Sequence, residues 1–166
     1  MIKTITVIII SMKFTEYEVV LSEIPDEITL AINISNCPYH CKGCHSPHLW
    51  EDIGMELTAP LFYQMIKRNP GISCIAFMGG PFREVQAWSL WVHIWFPKLK
   101  TAWYTGSSTL PIYENTLDYI KIGRYIAELG PLNNPNTNQR LYKIDKLNNG
   151  FKGVQDITSR LWKNLK

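Results

Sequence analysis

Hydrophobic and polar positions alternate most regularly in the segment EITLAINIS, residues 27–35. One face carries Ile28, Leu30, Ile32 and Ile34, and the other carries Thr29, Ala31, Asn33 and Ser35. A period of two residues is typical of a β-strand. Because the second face is small and polar, we expect it to line a site rather than to pack against helices.

Two helical patterns follow this strand. Thr58 is a candidate N-cap for a helix over residues 59–69, which Pro70 should end. After Pro81, apolar residues at spacings of three and four predict a second helix that ends before Pro97. This stripe consists of Val85, Trp88, Trp91, Val92 and Trp95. We expect its tryptophans to lie in the core.

Further strands are predicted over residues 73–78, 99–105 and 117–123. Strand and helix therefore alternate from residue 28 to about residue 105, the pattern of βαβ units with a parallel sheet. Ligands gather at the carboxyl ends of such strands. The segment after residue 35, the pair Gly79-Gly80 and the pair Thr105-Gly106 should therefore converge on one site.

The two ends of the chain show less regular patterns of hydrophobic and polar residues. The apolar run ITVIIISM, residues 5–12, reads as a first strand. Residues 131–155 are rich in Asn, Gly and Pro and read as loop with one short strand at residues 139–144. We expect one α/β domain over residues 1–166, with a loop-rich C-terminal extension at 130–166.

Composition places the chain among globular proteins, since 46% of its 166 residues are hydrophobic and 19% are charged. No apolar run approaches the roughly 20 residues of a membrane span, and no cleavage pattern of a signal peptide follows the first run. We therefore expect a cytoplasmic protein with no membrane partner. Seven Lys or Arg residues lie within 140–166. Without a nucleic-acid signature, this tail is expected to be a solvated terminus and not a nucleic-acid site.

The candidate chemistry lies in NCPYHCKGCHSPHLW, where Cys37, Cys41 and Cys44 form a C-x3-C-x2-C pattern. In a reducing compartment, clustered cysteines indicate metal binding or catalysis. Three thiolates leave one coordination position open, which is a mark of catalytic metal sites. Zinc bound by the three cysteines plus His45 or His48 is the alternative. The sequence favours an iron–sulfur cluster, because structural zinc sites usually take their ligands as two separated pairs.

The chain resembles the radical S-adenosylmethionine enzymes in this cysteine pattern. More closely, it resembles the activating proteins of anaerobic ribonucleoside-triphosphate reductases. The matching motifs occur in order over residues 24–163 and are NCPYHCKGCHSPHLWEDIG, FMGG, TAWYTG, DYIKIG, ELGPLNNPNTNQRLYKID and DITSRLW. The fold that this resemblance implies is a shortened, open (β/α) barrel with mostly parallel strands.

The resemblance also implies the activity and the cofactors. Cys37, Cys41 and Cys44 would hold a [4Fe–4S] cluster whose fourth iron binds S-adenosylmethionine. Reductive cleavage of this cofactor gives a 5′-deoxyadenosyl radical that generates a glycyl radical on the reductase. The expected partners are the reductase and an electron donor such as a flavodoxin. A radical enzyme acting on another substrate and a non-catalytic zinc adaptor are the alternatives.

Four further residues are candidates for binding the cofactor: Asn33, Gly79, Gly80 and Lys121. The glycine pair matches the family's glycines, which let the backbone approach the methionyl amino group. Here Pro81 follows the pair, where the family usually has an acidic residue. Lys121 could face the methionyl carboxylate, or it could be a surface lysine.

Overall fold

A computed structural model describes residues 11–111, 116–146 and 152–164, which form one eight-stranded sheet with two α-helices. The strands are β1 (Lys13–Val20), β2 (Thr29–Ile34), β3 (Met55–Glu56), β4 (Cys74–Met78), β5 (Lys100–Tyr104), β6 (Tyr119–Ile122), β7 (Arg140–Lys146) and β8 (Lys152–Asp156). The helices are α1 (Ala59–Arg68) and α2 (Phe82–Trp95), and short 3₁₀ helices span Pro47–Trp50 and Thr158–Asn164.

The sheet is mixed and open. Its strand order is β3-β1-β2-β4-β5-β6-β7-β8. The central strands β2, β4, β5 and β6 are parallel, whereas the pairings of β1 with β2 and β3, of β6 with β7, and of β7 with β8 are antiparallel. The expectation of mostly parallel strands is therefore correct for the centre of the sheet and wrong for its flanks. Antiparallel strands need no crossover helix between them.

Both predicted helices are confirmed, and they connect the parallel strands. The Thr58 hydroxyl caps α1 by accepting a hydrogen bond from the Leu61 N–H at 3.4 Å. The α2 helix begins directly after Pro81, whose fixed φ suits the start of a helix. No helix in the described part of the chain is long and apolar enough to cross a membrane.

The two faces of the sheet bury different sets of side chains. The helix face packs the aliphatic side of β2, with Leu30, Ile32 and Ile34, against α1 and α2. The opposite face, which we call the cavity face, buries a smaller cluster around Cys74 and Ala76. The alternation in β2 therefore predicted the helix face correctly from Leu30 onward, but Ile28 precedes the strand and is exposed.

The stripe on α2 is only partly in the core. Trp88 is buried and Trp91 packs against the core, but Trp95, in the last turn of α2, is 60% exposed. His93 lies off the stripe, yet it is half-buried. Its Nε2 lies 3.0 Å from the Asp118 carboxylate, which also accepts a hydrogen bond from the Thr101 N–H. This contact ties α2 to β5 and to the start of β6.

The structure contains two strands that the sequence analysis did not predict, β1 over residues 13–20 and β8 over residues 152–156. The predicted first strand, residues 5–12, lies mostly outside the described residues. The prediction of a loop-rich extension is wrong in part, because β8 pairs with β7. Edge strands carry few buried apolar residues, so their sequences show little alternation.

Candidate functional site

A cavity of about 190 Å³ lies at the carboxyl ends of β2, β4 and β5 and beside β6. The residues that line it are Asn33, Cys37, Tyr39, Cys41, Cys44, Ser46, Leu49, Trp50, Met78, Gly79, Tyr104, Thr105, Gly106, Lys121, Gly123 and Tyr125. The convergence predicted from the strand pattern is confirmed. Six of the seven candidate residues line this cavity, and Gly80 does not.

The cysteine loop is a chain of tight turns anchored to the segment that follows it. The N–H of Cys37 donates to the Leu49 carbonyl at 2.9 Å, and the N–H of Cys44 donates to the Cys41 carbonyl at 3.0 Å. His40 and Gly43 have positive φ values of 46° and 77°. Residues in the left-handed region reverse the chain direction within a few residues. The turns therefore bring the three cysteines to one cavity wall.

The three cysteines are free thiols, each half-buried at the cavity. Burial raises the pKa of the Cys37 thiol, and the neighbouring Cys41 and Cys44 raise it further, whereas Lys121 acts to lower it. The described residues contain no group of three or more His, Cys, Asp or Glu side chains that is already arranged to hold a metal ion.

Lys121 is the one charged side chain that lines the cavity among the described residues. It is only 9% exposed, so it is not the surface lysine of the alternative interpretation. Its Nζ donates to the carbonyl oxygens of Gly123 at 2.8 Å and Thr105 at 3.3 Å. Burial lowers the pKa of Lys121 to about 8, and the nearby cysteine thiols oppose this shift. Lys121 therefore places a buried amine beside the sulfur atoms.

The glycine pair adopts backbone conformations that favour glycine, with φ values of +90° at Gly79 and +81° at Gly80. A Cβ on Gly79 would lie 3.3 Å from the Ile34 carbonyl oxygen and 3.7 Å from the Cys37 Cβ, which is an ordinary contact distance, so the positive φ favours glycine here more than crowding by the cysteine loop does. A Cβ on Gly80 would lie 2.6 Å from Ile34 Cγ2. Gly80 thus serves packing against β2, while Gly79 contributes to the cavity.

Asn33 lines the cavity, but its amide is already engaged. Its Nδ2 donates to Glu16 Oε1 at 2.9 Å. The amide oxygen and the second Nδ2 hydrogen of Asn33 are left for contacts with a ligand. Neither Pro81 nor Glu84 is among the lining residues, so Glu84 does not replace the acidic residue that the resemblance leads one to expect.

The sequence did not single out the aromatic walls of the cavity, which are Tyr39, Trp50, Tyr104 and Tyr125. Tyr39 packs so closely on Gly106 that a Cβ there would lie 2.5 Å from its Cγ. The indole Nε1 of Trp50 is buried and has no hydrogen-bond partner among the described residues. Tyr39 and Trp50 stand within or directly after the cysteine motif, and that proximity is the signal that could have identified them.

The histidines of the motif do not line the cavity. His40 stacks on Trp50, with ring centroids 5.0 Å apart, and His45 contacts the Tyr125 ring at 5.5 Å. His40 and His45 thus contact the aromatic wall from outside the cavity lining. Cys74, the fourth cysteine, is fully buried in β4 and does not line the cavity. Burial raises the pKa of its thiol well above the usual value.

The lining residues fit a thiolate-ligated metal group. Three sulfur donors suit iron–sulfur clusters and zinc, whereas no carboxylate suited to magnesium or calcium lines the cavity in the described part of the chain. The ammonium form of Lys121 can offset negative charge at the sulfur atoms, which favours an occupant with net negative charge.

The chain was compared with known proteins at three levels. No protein-family model matches it, and no match is found among curated proteins or among solved structures.

Proposed function

We propose that this protein is a radical S-adenosylmethionine activase that generates a glycyl radical on an anaerobic ribonucleoside-triphosphate reductase. The observation that carries the proposal is the gathering of Cys37, Cys41, Cys44, Asn33, Gly79 and Lys121 around one cavity. The resemblance singles out these six residues together with Gly80, and the six line one cavity. The open sheet corresponds in this proposal to a shortened radical-enzyme barrel.

Cys37, Cys41 and Cys44 would hold a [4Fe–4S] cluster and leave one iron for S-adenosylmethionine. When bound, these two groups supply the one-electron reduction and the radical chemistry. The role of the chain is to present three thiolates from one short loop. The hydrogen bond from the Cys37 N–H to Leu49 fixes the start of that loop relative to the segment behind it.

Lys121 and Gly79 would position the cofactor beside the cluster. A buried ammonium group facing three thiolates lowers the cost of their negative charge, and it also suits the methionyl carboxylate. Gly79 keeps the carboxyl end of β4 free of a side chain, so that main-chain groups can approach a ligand. The oxygen of the Asn33 amide would add a polar contact from β2.

The open sheet provides a reason for a macromolecular substrate. Within the described part of the chain, the sheet ends at β3 and β8, which do not pair with each other, so it does not close around the cavity face. A loop of a large partner could reach the cavity from the open side, whereas a small substrate would be poorly shielded from water there. We place this activity in the cytoplasm, with a flavodoxin-like protein as a suitable electron donor.

The decisive experiment is anaerobic reconstitution of the full chain with iron and sulfide, followed by electron paramagnetic resonance of the reduced protein. We expect about four iron and four sulfide per chain and a signal that changes on addition of S-adenosylmethionine. Zinc without sulfide would refute the proposal and favour the adaptor. A cluster whose signal ignores S-adenosylmethionine would also refute it.

A second step separates the reductase from other substrates. The reconstituted protein is mixed with an anaerobic reductase, S-adenosylmethionine and a reductant, and the glycyl radical is sought by the same spectroscopy. The matched control is Cys41→Ala, which lacks one sulfur at the cavity. Cleavage of S-adenosylmethionine without a glycyl radical would indicate a radical enzyme with a different substrate.

A further inference from the structure

A second and larger cavity, of about 570 Å³, lies on the cavity face of the sheet beside the cysteine cavity. Its walls come from the turn between β1 and β2, from the loop around Leu132 and from the C-terminal 3₁₀ helix. Leu132 and Leu161 pack against the buried cluster of the cavity face. Ligand-binding cavities span roughly 300–1,000 Å³, so this one has room for a side chain with its flanking main chain. We call it the Glu23 cavity.

Glu23 is a carboxylate of this cavity that lacks a counter-ion. No lysine, arginine or histidine in the described part of the chain pairs with it, whereas Asp26, the other acidic lining residue, is paired with Arg160. Burial raises the pKa of the Glu23 carboxyl group, a hydrogen bond from Tyr104 opposes this shift, and the nearby Glu18 carboxylate adds to it. A half-buried carboxylate of this kind is stabilised by a ligand that brings a positive charge.

Tyr104 connects the Glu23 cavity to the cysteine cavity, because its side chain lines both. Its hydroxyl donates to the main-chain carbonyl of Glu23 at 2.6 Å, and its ring centroid lies 6.0 Å from the Lys121 Nζ. The Tyr104 ring therefore lies between Lys121 in one cavity and the turn that carries Glu23 in the other. A ligand in the Glu23 cavity would be separated from the cysteine cavity by one aromatic side chain.

We propose that the Glu23 cavity binds a lysine or arginine side chain of the polypeptide substrate, while another residue of that polypeptide enters the cysteine cavity. The Glu23 carboxylate binds the ammonium or guanidinium group, and the leucines of the lining contact the apolar stem. Leu21 lines the cavity and is 74% exposed, so the cavity opens to solvent and a main chain can continue past it. The assignment to a polypeptide substrate rests on the proposed function, whereas cation binding at Glu23 does not.

The first test is a titration of the full-length apoprotein, followed by NMR, with N-acetyl-lysine N-methylamide and its arginine counterpart. At least one should bind saturably. Binding should weaken by about tenfold or more in Glu23→Gln, because a hydrogen bond to a charged group is lost. The norleucine analogue, which keeps the stem without the ammonium group, should bind equally weakly. The matched control is Glu56→Gln, which removes an exposed carboxylate outside the cavity.

Urea unfolding should show that Glu23→Gln is at least as stable as the wild type, so that weaker binding does not reflect misfolding. Equal binding of the capped lysine and arginine to wild type and Glu23→Gln would overturn the proposal. Tighter binding of n-butylamine, a free amine with the same stem, than of capped lysine would also overturn it, because the site would then exclude a main chain.

A second test separates this inference from the proposed function. In the reconstituted protein, Glu23→Gln should raise the KM for the reductase by about tenfold, with a much smaller effect on kcat, because Glu23 does not line the cysteine cavity. Radical formation with an unchanged KM would overturn the assignment to the substrate and leave the proposed function standing. A wild-type protein that binds capped lysine but forms no glycyl radical would overturn the assignment together with the proposed function and leave the cation site standing.

Discussion

Three glycine-to-alanine substitutions separate backbone strain from steric contact. Gly71 has a φ of +93°, and no atom lies within 4 Å of the position that a Cβ would take there. At Gly106 the Cβ would lie 2.5 Å from Tyr39 Cγ, without a positive φ. Gly80 combines both conditions, with a φ of +81° and a Cβ position 2.6 Å from Ile34 Cγ2. The series therefore tests the two costs singly and together.

The magnitudes follow from these contacts. An alanine in the left-handed region lowers the free energy of unfolding by about 1–2 kcal/mol. The smaller conformational entropy of the unfolded chain offsets about 0.4–1 kcal/mol of this loss. Gly71→Ala should thus lower the free energy of unfolding by about 1 kcal/mol. Overpacking costs about 1–3 kcal/mol, which is the expectation for Gly106→Ala. Gly80→Ala should lose about 2–4 kcal/mol, the sum of both effects.

The assay is urea unfolding of each variant at constant pH, combined with iron and sulfide analysis after reconstitution. Gly106→Ala displaces Tyr39, which lies between Cys37 and Cys41, and should lower loading of the proposed cluster more than Gly71→Ala does. Equal losses of stability in Gly71→Ala and Gly80→Ala would refute the steric role of Ile34. Normal loading of Gly106→Ala would refute the link between Tyr39 and the cysteine loop.

Three further predictions use the same preparations. Cys41→Ala should lose the cluster, whereas Cys74→Ala, which alters a buried residue outside the cavity lining, should retain it; iron and sulfide analysis distinguishes the two. In the wild-type apoprotein, Lys121 should add stability as pH rises from about 8 towards 10.5, because the unfolded chain binds more protons in that window. The whole pKa shift corresponds to about 3 kcal/mol of unfolding free energy at about 1.4 kcal/mol per pKa unit. Over this pH range, the difference in unfolding free energy between the wild-type protein and Lys121→Met should change by most of that amount. A difference that stays constant with pH would contradict the burial of the amine. Burial opposes ionisation of Glu27, but hydrogen bonds from Lys100, Ser73 and Tyr119 outweigh burial and lower the pKa of the carboxyl group. The stabilisation that the Glu27 carboxylate contributes should be complete above pH 4.5 and lost as pH falls through the lowered pKa. Glu27→Gln should therefore make the free energy of unfolding depend less on pH at acid pH, and an unchanged pH dependence would refute this.

The centre of the fold was predictable because its elements have strong local signals. The alternation in β2, the Thr58 cap and the proline after each helix are read directly from the chain. The parallel strands followed from the alternation of strand and helix. Once the strands were parallel, the cysteine loop and Gly79 had to share one edge of the sheet.

The flanking strands of the sheet and the burial of Lys121 in the site were not predictable in this way. Pairing of β8 with β7 depends on contacts between strands, while each strand alone is short and polar. The burial of Lys121 depends on the carbonyl oxygens of Thr105 and Gly123, which belong to two different loops. The sequence around Lys121 does not show which main-chain carbonyl oxygens its amine will contact.

The charge of the cavity bears on how the proposed cofactor would be recognised. Its lining contains an amine at Lys121 but no carboxylate in the described part of the chain, and Pro81 supplies neither an N–H nor a charge. An ammonium group of a ligand would therefore depend on uncharged acceptors, such as the Asn33 amide oxygen and main-chain carbonyl oxygens at the end of β4. The Gly79 carbonyl already accepts a hydrogen bond from Trp103 Nε1 at 2.9 Å, which leaves it one lone pair. Affinity for the methionyl amino group would thus depend on carbonyl geometry more than on charge, while Lys121 would act on the carboxylate.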